Sequence, residues 1–292
     1  KSNGTIFTSP ILNGGMIKLE ADIFLANSVV FGGTGFIDLT SNNLRLGKGL
    51  TEWNSSIKWK GNGGALNFGA PVDLKSTWTF SGDVKINGNN QTLRLAQGAA
   101  IKISKNSTLT FKDLTIQGVG FQNVLCEDES AHINFENSHF VLSNHYMFDK
   151  GVLAFSGNNS VSGLYTFSYD SAATSTINSE SICVIKDGTK LAIGRNEGIE
   201  PLYFEDKTAT LKFENAELYT KETGMRLTRG RAVIDHDIVV DANSTNTGNG
   251  LIFGNGSLEG NFDVIINPAT SARFPRGHMM YDNTVTNGIR SK

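Results

Sequence analysis

The sequence is poor in charge, in proline and in cysteine. Charged residues make up 18% of the 292 residues, whereas an average globular domain has about a quarter. The net charge of −2 and the lack of a basic cluster argue against a nucleic-acid partner. No stretch approaches the roughly 18 consecutive apolar residues of a membrane-spanning helix, so we expect a chain that does not span a membrane.

The two cysteines, Cys126 and Cys183, are too few for a disulfide framework or a cysteine-based metal site. We expect both to be small buried thiols. The chain has five histidines: His132, His139, His145, His236 and His278. Their spacing does not match that of a zinc motif on a helix. The sequence therefore predicts no catalytic residue, no metal site and no cofactor site.

Short runs with an apolar residue at every second position dominate the chain, and this is the period of a β-strand. Examples are Thr108–Phe111, His132–Phe135 and Thr210–Phe213. Runs this short are unstable as isolated hairpins, but they suit the faces of a parallel β-helix. A β-sandwich is the alternative, although its strands are longer and are joined by hairpin turns.

Three segments look like copies of one strand–corner–strand unit: Thr108–Ile116, His132–Phe140 and Thr210–Leu218. Each has a polar pair in its centre, whose second residue is Asp113, Asn137 or Asn215. Asn and Asp tolerate the left-handed backbone conformation that a sharp corner needs. We therefore predict corners at these three residues.

The repeats predict an all-β fold in which residues 1–292 form a single β-helix domain. The pattern is best over residues 15–265, and residues 266–292 are expected to form an irregular or interface-forming tail. Loops are expected at 195–208 and 241–250. With about 19 residues per coil, the chain would form about 14 coils.

The stretch 87–118 resembles the right-handed parallel β-helix repeats of the pectate-lyase-like superfamily, and in particular uncharacterised β-helix surface proteins of bacteria. The resemblance implies a single-stranded right-handed parallel β-helix. It also implies export, and so an extracellular or cell-surface location. A repeat pattern of this kind says much about fold and little about function.

Two fragments are similar to pectate-lyase motifs. Val233–His236 resembles the family's W-I-D-H string without its Trp, and Arg273–Arg276 resembles the start of R-x-P-x-x-R, with His278 in place of the second Arg. The resemblance implies that Arg273 would be the catalytic base and that Asp235 would lie near a calcium-binding face. A lyase also needs several carboxylates around one calcium ion, and no D-x-K-G string is present. We therefore expect no enzymatic activity.

Acidic runs elsewhere could in principle hold a cation or act in glycoside hydrolysis. They are Glu127–Glu129, Glu197, Glu200 and Glu205–Asp206. We interpret all of them as solvated charges in corners or loops, because charged side chains of this kind are mostly exposed.

The leading functional hypothesis is a structural subunit of an extracellular or cell-surface fibre. An open β-helix leaves unpaired backbone groups at its ends, and these favour end-to-end stacking or exchange of a terminal strand between copies. The alternatives are a carbohydrate-binding adhesin and, less favoured, a polysaccharide lyase. In the adhesin, exposed tyrosines or Trp53, Trp59 and Trp78 would stack on surface glycans, although Trp59 and Trp78 fit a strand core better.

Overall fold

A computed structural model describes residues 4–27, 29, 31–193, 201–220, 225–242, 251–253, 261–266, 272–273, 279–281 and 290–291. Every regular element in these ranges is a β-strand, and the strands form an all-parallel β-solenoid of about 10 turns. Within the same ranges no helix is available to cross a membrane. The predicted all-β parallel β-helix is confirmed. The chain comprises two compact units, residues 1–141 and 142–292.

Thirteen of the described strands lie within the first unit, and a fourteenth includes residues on both sides of the boundary at 141–142. They are β1 (Gly4–Ile6), β2 (Met16–Lys18), β3 (Ile23–Leu25), β4 (Gly35–Thr40), β5 (Asn43–Arg45), β6 (Glu52–Trp53), β7 (Ile57–Asn67), β8 (Val72–Leu74), β9 (Thr77–Leu95), β10 (Ala100–Ile103), β11 (Thr108–Val119), β12 (Val124–Cys126), β13 (His132–Glu136) and β14 (His139–Leu142).

The strands of the first unit form three parallel sheets, and a complete turn such as β4–β5–β6 contributes one strand segment to each. Sheet A contains β2, β4, the starts of β7 and β9, β10 and β12. Sheet B contains β1, β3, β5, the end of β7, the middle of β9, the start of β11 and β13. Sheet C contains β6, β8 and the ends of β9 and β11.

The second unit contains the remaining strands. They are β15 (Tyr146–Phe148), β16 (Val152–Ser156), β17 (Asn158–Ser162), β18 (Thr166–Tyr169), β19 (Ser175–Ile177), β20 (Ile182–Lys186), β21 (Lys190–Ile193), β22 (Leu202–Phe204), β23 (Thr210–Thr220), β24 (Met225–Leu227), β25 (Arg229–Ala242), β26 (Leu251–Phe253), β27 (Asn261–Ile266), β28 (Ala272–Arg273), β29 (Met279–Tyr281) and β30 (Arg290–Ser291). They also pair in parallel from turn to turn, as in β17–β20–β23–β25–β27 and β24–β26–β29.

The core consists of columns of apolar side chains, one from each turn. In sheet A the column is Ile37, Trp59, Phe80, Ile103 and Cys126, and all of these residues are buried. The alternation of strand side chains sends every second residue inward, and parallel pairing brings equivalent residues into contact. Apolar burial along such columns is the main force that holds the solenoid together.

Sheet B has an equivalent column, in which Phe111 pairs with Phe135. Their rings stack with centroids 5.7 Å apart. This pair comes from two of the three predicted copies of the strand–corner–strand unit, and it joins adjacent turns as that prediction requires.

The three tryptophans form one buried cluster in the first unit. Trp59 and Trp78 have no exposed surface, and Trp53 is 2% exposed. The prediction that Trp59 and Trp78 belong to the core is confirmed, whereas the hypothesis of exposed tryptophans that stack on sugars is wrong. The Trp78 ring packs edge to face against the rings of Trp53 and Trp59. In an edge-to-face pair, the face of one ring can accept a weak hydrogen bond from the N–H group of the other.

Cys126 and Cys183 are both buried free thiols, as predicted. Cys183 lies on an inward column of the second unit, between Asn159 and Leu211. Burial there raises the pKa of its thiol to about 12, because the thiolate would lose its hydration.

The predicted left-handed corners are confirmed. Asp113, Asn137 and Asn215 have φ angles of 48°, 51° and 51°. At Asp113 and Asn215 the strand register also shifts, which is how a continuous strand turns from one sheet into the next.

The predicted turn of about 19 residues is shorter than most turns of the structure. Trp59 pairs with Phe80 and Cys183 pairs with Leu211, so these turns take 21 and 28 residues. The corners add residues to the strand repeat, and the structure has about 10 turns where about 14 were predicted. The loop predicted at 195–208 is wrong for Leu202–Phe204, which is a strand paired with Ser175–Ile177.

Other parts of the predicted loops and tail lie outside the described residues, namely 195–200, 243–250, 267–271, 274–278, 282–289 and 292. Residues 241–242 end β25 rather than beginning a loop. Within the predicted tail, β28, β29 and β30 pair in parallel with earlier turns.

Candidate functional site

A groove runs along the outer surface of sheet B in the first unit. It encloses about 680 Å³ and crosses four consecutive turns. The polar and aromatic residues that line it are Phe24, Asn27, Arg45, Lys48, Asn67, Phe68, Asn89 and Gln91. The alternation of strand side chains explains this composition, because the neighbours Leu44 and Leu66 point inward to the core.

Parallel pairing places a continuous row of side chains along the groove. Phe24 pairs with Arg45, and Arg45 pairs with Asn67. Adjacent rungs of a parallel sheet lie about 4.8 Å apart, so the three residues span about 10 Å. The row continues to Asn87 in the next turn.

Phe24 and Arg45 form a cation–π pair at one end of the groove. The guanidinium carbon lies 5.8 Å from the centroid of the ring. Phe24 remains 38% exposed, so part of its aromatic face stays available to a ligand. The contact also orients the guanidinium group of Arg45, whose N–H groups can donate to two oxygen atoms of one ligand at the same time.

Amide side chains hold the corner of the groove in position. Asn89 has a φ of 49° and donates from Nδ2 to the carbonyl oxygen of Phe68 at 2.8 Å. Asn27 and Lys48 lie one turn apart, and the backbone N–H of Lys48 donates to Oδ1 of Asn27 at 2.9 Å. These bonds join successive corners, so the groove wall is built before any ligand arrives.

Gly69 allows the corners to stack closely. A Cβ atom at this position would lie 2.4 Å from the carbonyl oxygen of Leu46 in the preceding turn, which is closer than any real side chain tolerates. Both residues line the groove, so a larger residue at position 69 would push the two turns apart or fill part of the groove.

A second depression of about 500 Å³ shares Phe24, Arg45 and Asn67 with the first and extends the groove sideways. Asn43 lines it and donates from Nδ2 to both carboxylate oxygens of Asp22, at 3.2 and 3.1 Å. The combined surface thus offers amide donors and acceptors, a guanidinium, a carboxylate and an aromatic face. This mixture suits a ligand that carries many hydroxyl groups and an apolar ring face.

Asp235, in the lyase-like fragment, forms an ion pair. Nζ of Lys212 lies 2.7 Å from the Asp235 carboxylate and also contacts Glu214. The bonds to Asp235 and then Glu214 raise the pKa of Lys212. The side chains of His236, Asp237 and Arg273, and residues 274–278, lie outside the described part of the structure.

The acidic runs form corners. Asp128 accepts bonds from the backbone N–H and the hydroxyl of Ser130, at 3.0 and 2.7 Å. Asp206 is bound by Thr208 in the same way. These bonds lower the pKa of both carboxyls. Within the described residues, no three His, Cys, Asp or Glu side chains come together as metal ligands would.

The two acidic corners share a sequence signal that was not recognised. Glu127–Ala131 reads E-D-E-S-A and Glu205–Ala209 reads E-D-K-T-A. In both, Asp caps the turn and the final Ala is completely buried. The charge therefore has a local structural role. Glu197 and Glu200 lie outside the described residues.

The residues of the groove were also missed in the sequence. Their signal was weak: a Phe, an Arg and an Asn at outward strand positions, about one turn apart. Comparisons with protein-family models, with curated proteins and with solved structures found no match for this chain.

Proposed function

We propose that this chain is an extracellular or cell-surface β-helix protein that binds carbohydrate in the groove on sheet B. The row Phe24–Arg45–Asn67 supports the proposal, because it combines an aromatic face, a guanidinium and an amide within one groove. Sugars present an apolar ring face to aromatic side chains and hydroxyl groups to amides and guanidinium groups. Residues on a rigid sheet hold such contacts at fixed spacing.

A glycan array with the purified protein tests this proposal, followed by titration of the best oligosaccharide. We expect Phe24→Ala and Asn67→Ala each to weaken binding by about tenfold, which corresponds to about 1.4 kcal/mol. The matched controls are Phe121→Ala, an exposed aromatic outside the groove, and Asn134→Ala, an outward residue of the same sheet. Equal affinity of the groove variants and the controls would contradict the proposal.

A second candidate function is self-assembly into a fibre. Among the residues whose burial the structure describes, five of the nine exposed large apolar side chains belong to the first 36 residues: Phe7, Ile11, Met16, Phe24 and Phe36. In the described part of the chain, β1 pairs only with β3, and β2 pairs only with β4. A cluster of exposed apolar side chains beside strands of this kind favours association with another copy.

Sedimentation velocity over a range of concentrations, together with electron microscopy, tests this second candidate. Association should weaken in the Phe7→Ser, Ile11→Ser double variant and persist in the Leu164→Ser control, whose side chain is 82% exposed elsewhere on the chain. A monomer at every concentration would exclude the fibre.

A further inference from the structure

The outer surface of sheet A in the first unit carries two neighbouring columns of side chains. The first column is Met16, Phe36, Lys58, Thr79, Lys102 and Leu125. The second is Lys18, Asp38, Lys60 and Ser81. The next two turns continue the second column with Ser104 and Glu127, whose side chains are hydrogen-bonded. Four lysines thus face outward from this surface, together with the two carboxylates of Asp38 and Glu127.

The lysines are spread over an area and do not follow a single line. Lys58 and Lys60 lie two residues apart on one strand, a separation of about 7 Å, and Lys102 lies two rungs beyond Lys58, about 10 Å away. Asp38 lies 4.0 Å from Nζ of Lys60 and offsets part of the charge of that lysine, so the excess positive charge of this surface comes mainly from Lys18, Lys58 and Lys102.

Exposed apolar side chains continue the same surface. Met16 and Phe36 pair across adjacent strands and are 66% and 43% exposed. Nζ of Lys58 lies 5.1 Å from the centroid of the Phe36 ring. A lysine stem can lie along such an apolar surface while its ammonium group reaches a charged partner.

We propose that this lysine face of sheet A binds the surface of an anionic lipid bilayer. The charge is complementary, and outward side chains of one sheet form a layer that fits a planar partner. Met16 and Phe36 would enter the boundary between headgroups and acyl chains. The proposal is independent of the glycan groove, which lies on sheet B.

A soluble polyanion is the competing partner. A narrow chain would contact one column of charges at a time, whereas a bilayer contacts both columns and also receives the two apolar side chains. The lysine columns are interrupted by Thr79 and by Asp38, which favours a partner that extends over an area.

Vesicle co-sedimentation tests the proposal, with phosphatidylcholine vesicles that do or do not contain about 30% phosphatidylglycerol. We expect binding only to the anionic vesicles, and binding should weaken as salt is added. Each lysine near an anionic surface contributes about fivefold in affinity, so Lys58→Gln, Lys60→Gln, Lys102→Gln should weaken binding on the order of a hundredfold.

The control variant Lys150→Gln, Lys186→Gln, Lys207→Gln changes the net charge by the same amount within the second unit. It should bind the anionic vesicles like the unchanged protein. In a Phe36→Trp variant, lipids with brominated acyl chains should quench the added fluorescence, whereas the buried native tryptophans should be unaffected.

Three results would overturn the proposal. They are equal loss of binding in the two triple variants, equal binding to neutral and anionic vesicles, and retention by a sulfated polysaccharide without retention by vesicles. Circular dichroism of each variant shows whether it is folded, so that loss of binding is not confused with unfolding.

Discussion

Replacement of Trp59 tests whether the tryptophan cluster stabilises the solenoid or belongs to a binding surface. The Trp59 side chain has no exposed area. Its ring centroid lies 5.5 Å from that of Trp78, 5.7 Å from that of Trp53 and 6.2 Å from that of Phe80. The ring therefore fills a space enclosed by other rings, which cannot collapse without moving the adjacent turns.

We expect Trp59→Ala to lower the free energy of unfolding by about 4 kcal/mol. Truncation of a buried aromatic residue to Ala costs about 3–5 kcal/mol, and each lost aromatic pair contributes about 0.5–1.5 kcal/mol beyond buried area. Trp59→Phe keeps a ring in the column, so we expect a cost of about 1–2 kcal/mol.

Urea denaturation measures both variants, with near-ultraviolet circular dichroism for the aromatic cluster and far-ultraviolet dichroism for the strands. Phe121→Ala is the control, because this residue is 67% exposed and should change stability by less than about 0.5 kcal/mol. Folded Trp59→Phe should bind glycans as the unchanged protein does. A cost below about 1 kcal/mol for Trp59→Ala, or loss of glycan binding in a fully stable Trp59→Phe, would refute this reasoning.

Three further predictions concern the corners and the buried thiol. Asn137→Ala should destabilise the protein by about 1 kcal/mol in urea denaturation, because Ala tolerates a φ of 51° poorly, whereas Asn137→Gly should be nearly neutral; equal costs would contradict this. Cys183 should resist a thiol reagent at pH 8 in the folded protein and react in urea, because it is buried and its pKa is about 12; rapid reaction of the folded protein would contradict its burial. Asp206 has a lowered pKa, so its contribution to stability is present above the ordinary carboxyl pKa and is lost as the pH falls through the lowered value. Asp206→Asn should therefore reduce the acid-induced loss of stability in pH-dependent melting, and an unchanged pH profile would count against the capping role.

The fold was predictable because its signals are local. Alternation of apolar residues in runs such as Thr108–Phe111 depends only on the strand period, which any parallel or antiparallel sheet imposes. The corners at Asp113, Asn137 and Asn215 were predictable for a similar reason, since the backbone preference of Asn and Asp acts within a few residues.

The candidate sites were not predictable because they depend on which residues meet between turns. The turn that ends at Phe80 takes 21 residues and the one that ends at Leu211 takes 28. An error of one or two residues in this spacing changes the neighbour of every outward side chain. The row Phe24–Arg45–Asn67 therefore could not be distinguished from three unrelated surface residues.

The tryptophans show the same limit. Their types and spacings allowed either a stack on sugars or a core position, and only the strand alternation favoured the core. The sequence by itself determined the strands, the sharp corners and the parallel β-helix, because these follow from side-chain period and backbone preference. Only the tertiary structure decided the length of each turn, and so the groove on sheet B and the lysine face of sheet A, because both are made by contacts between residues about one turn apart.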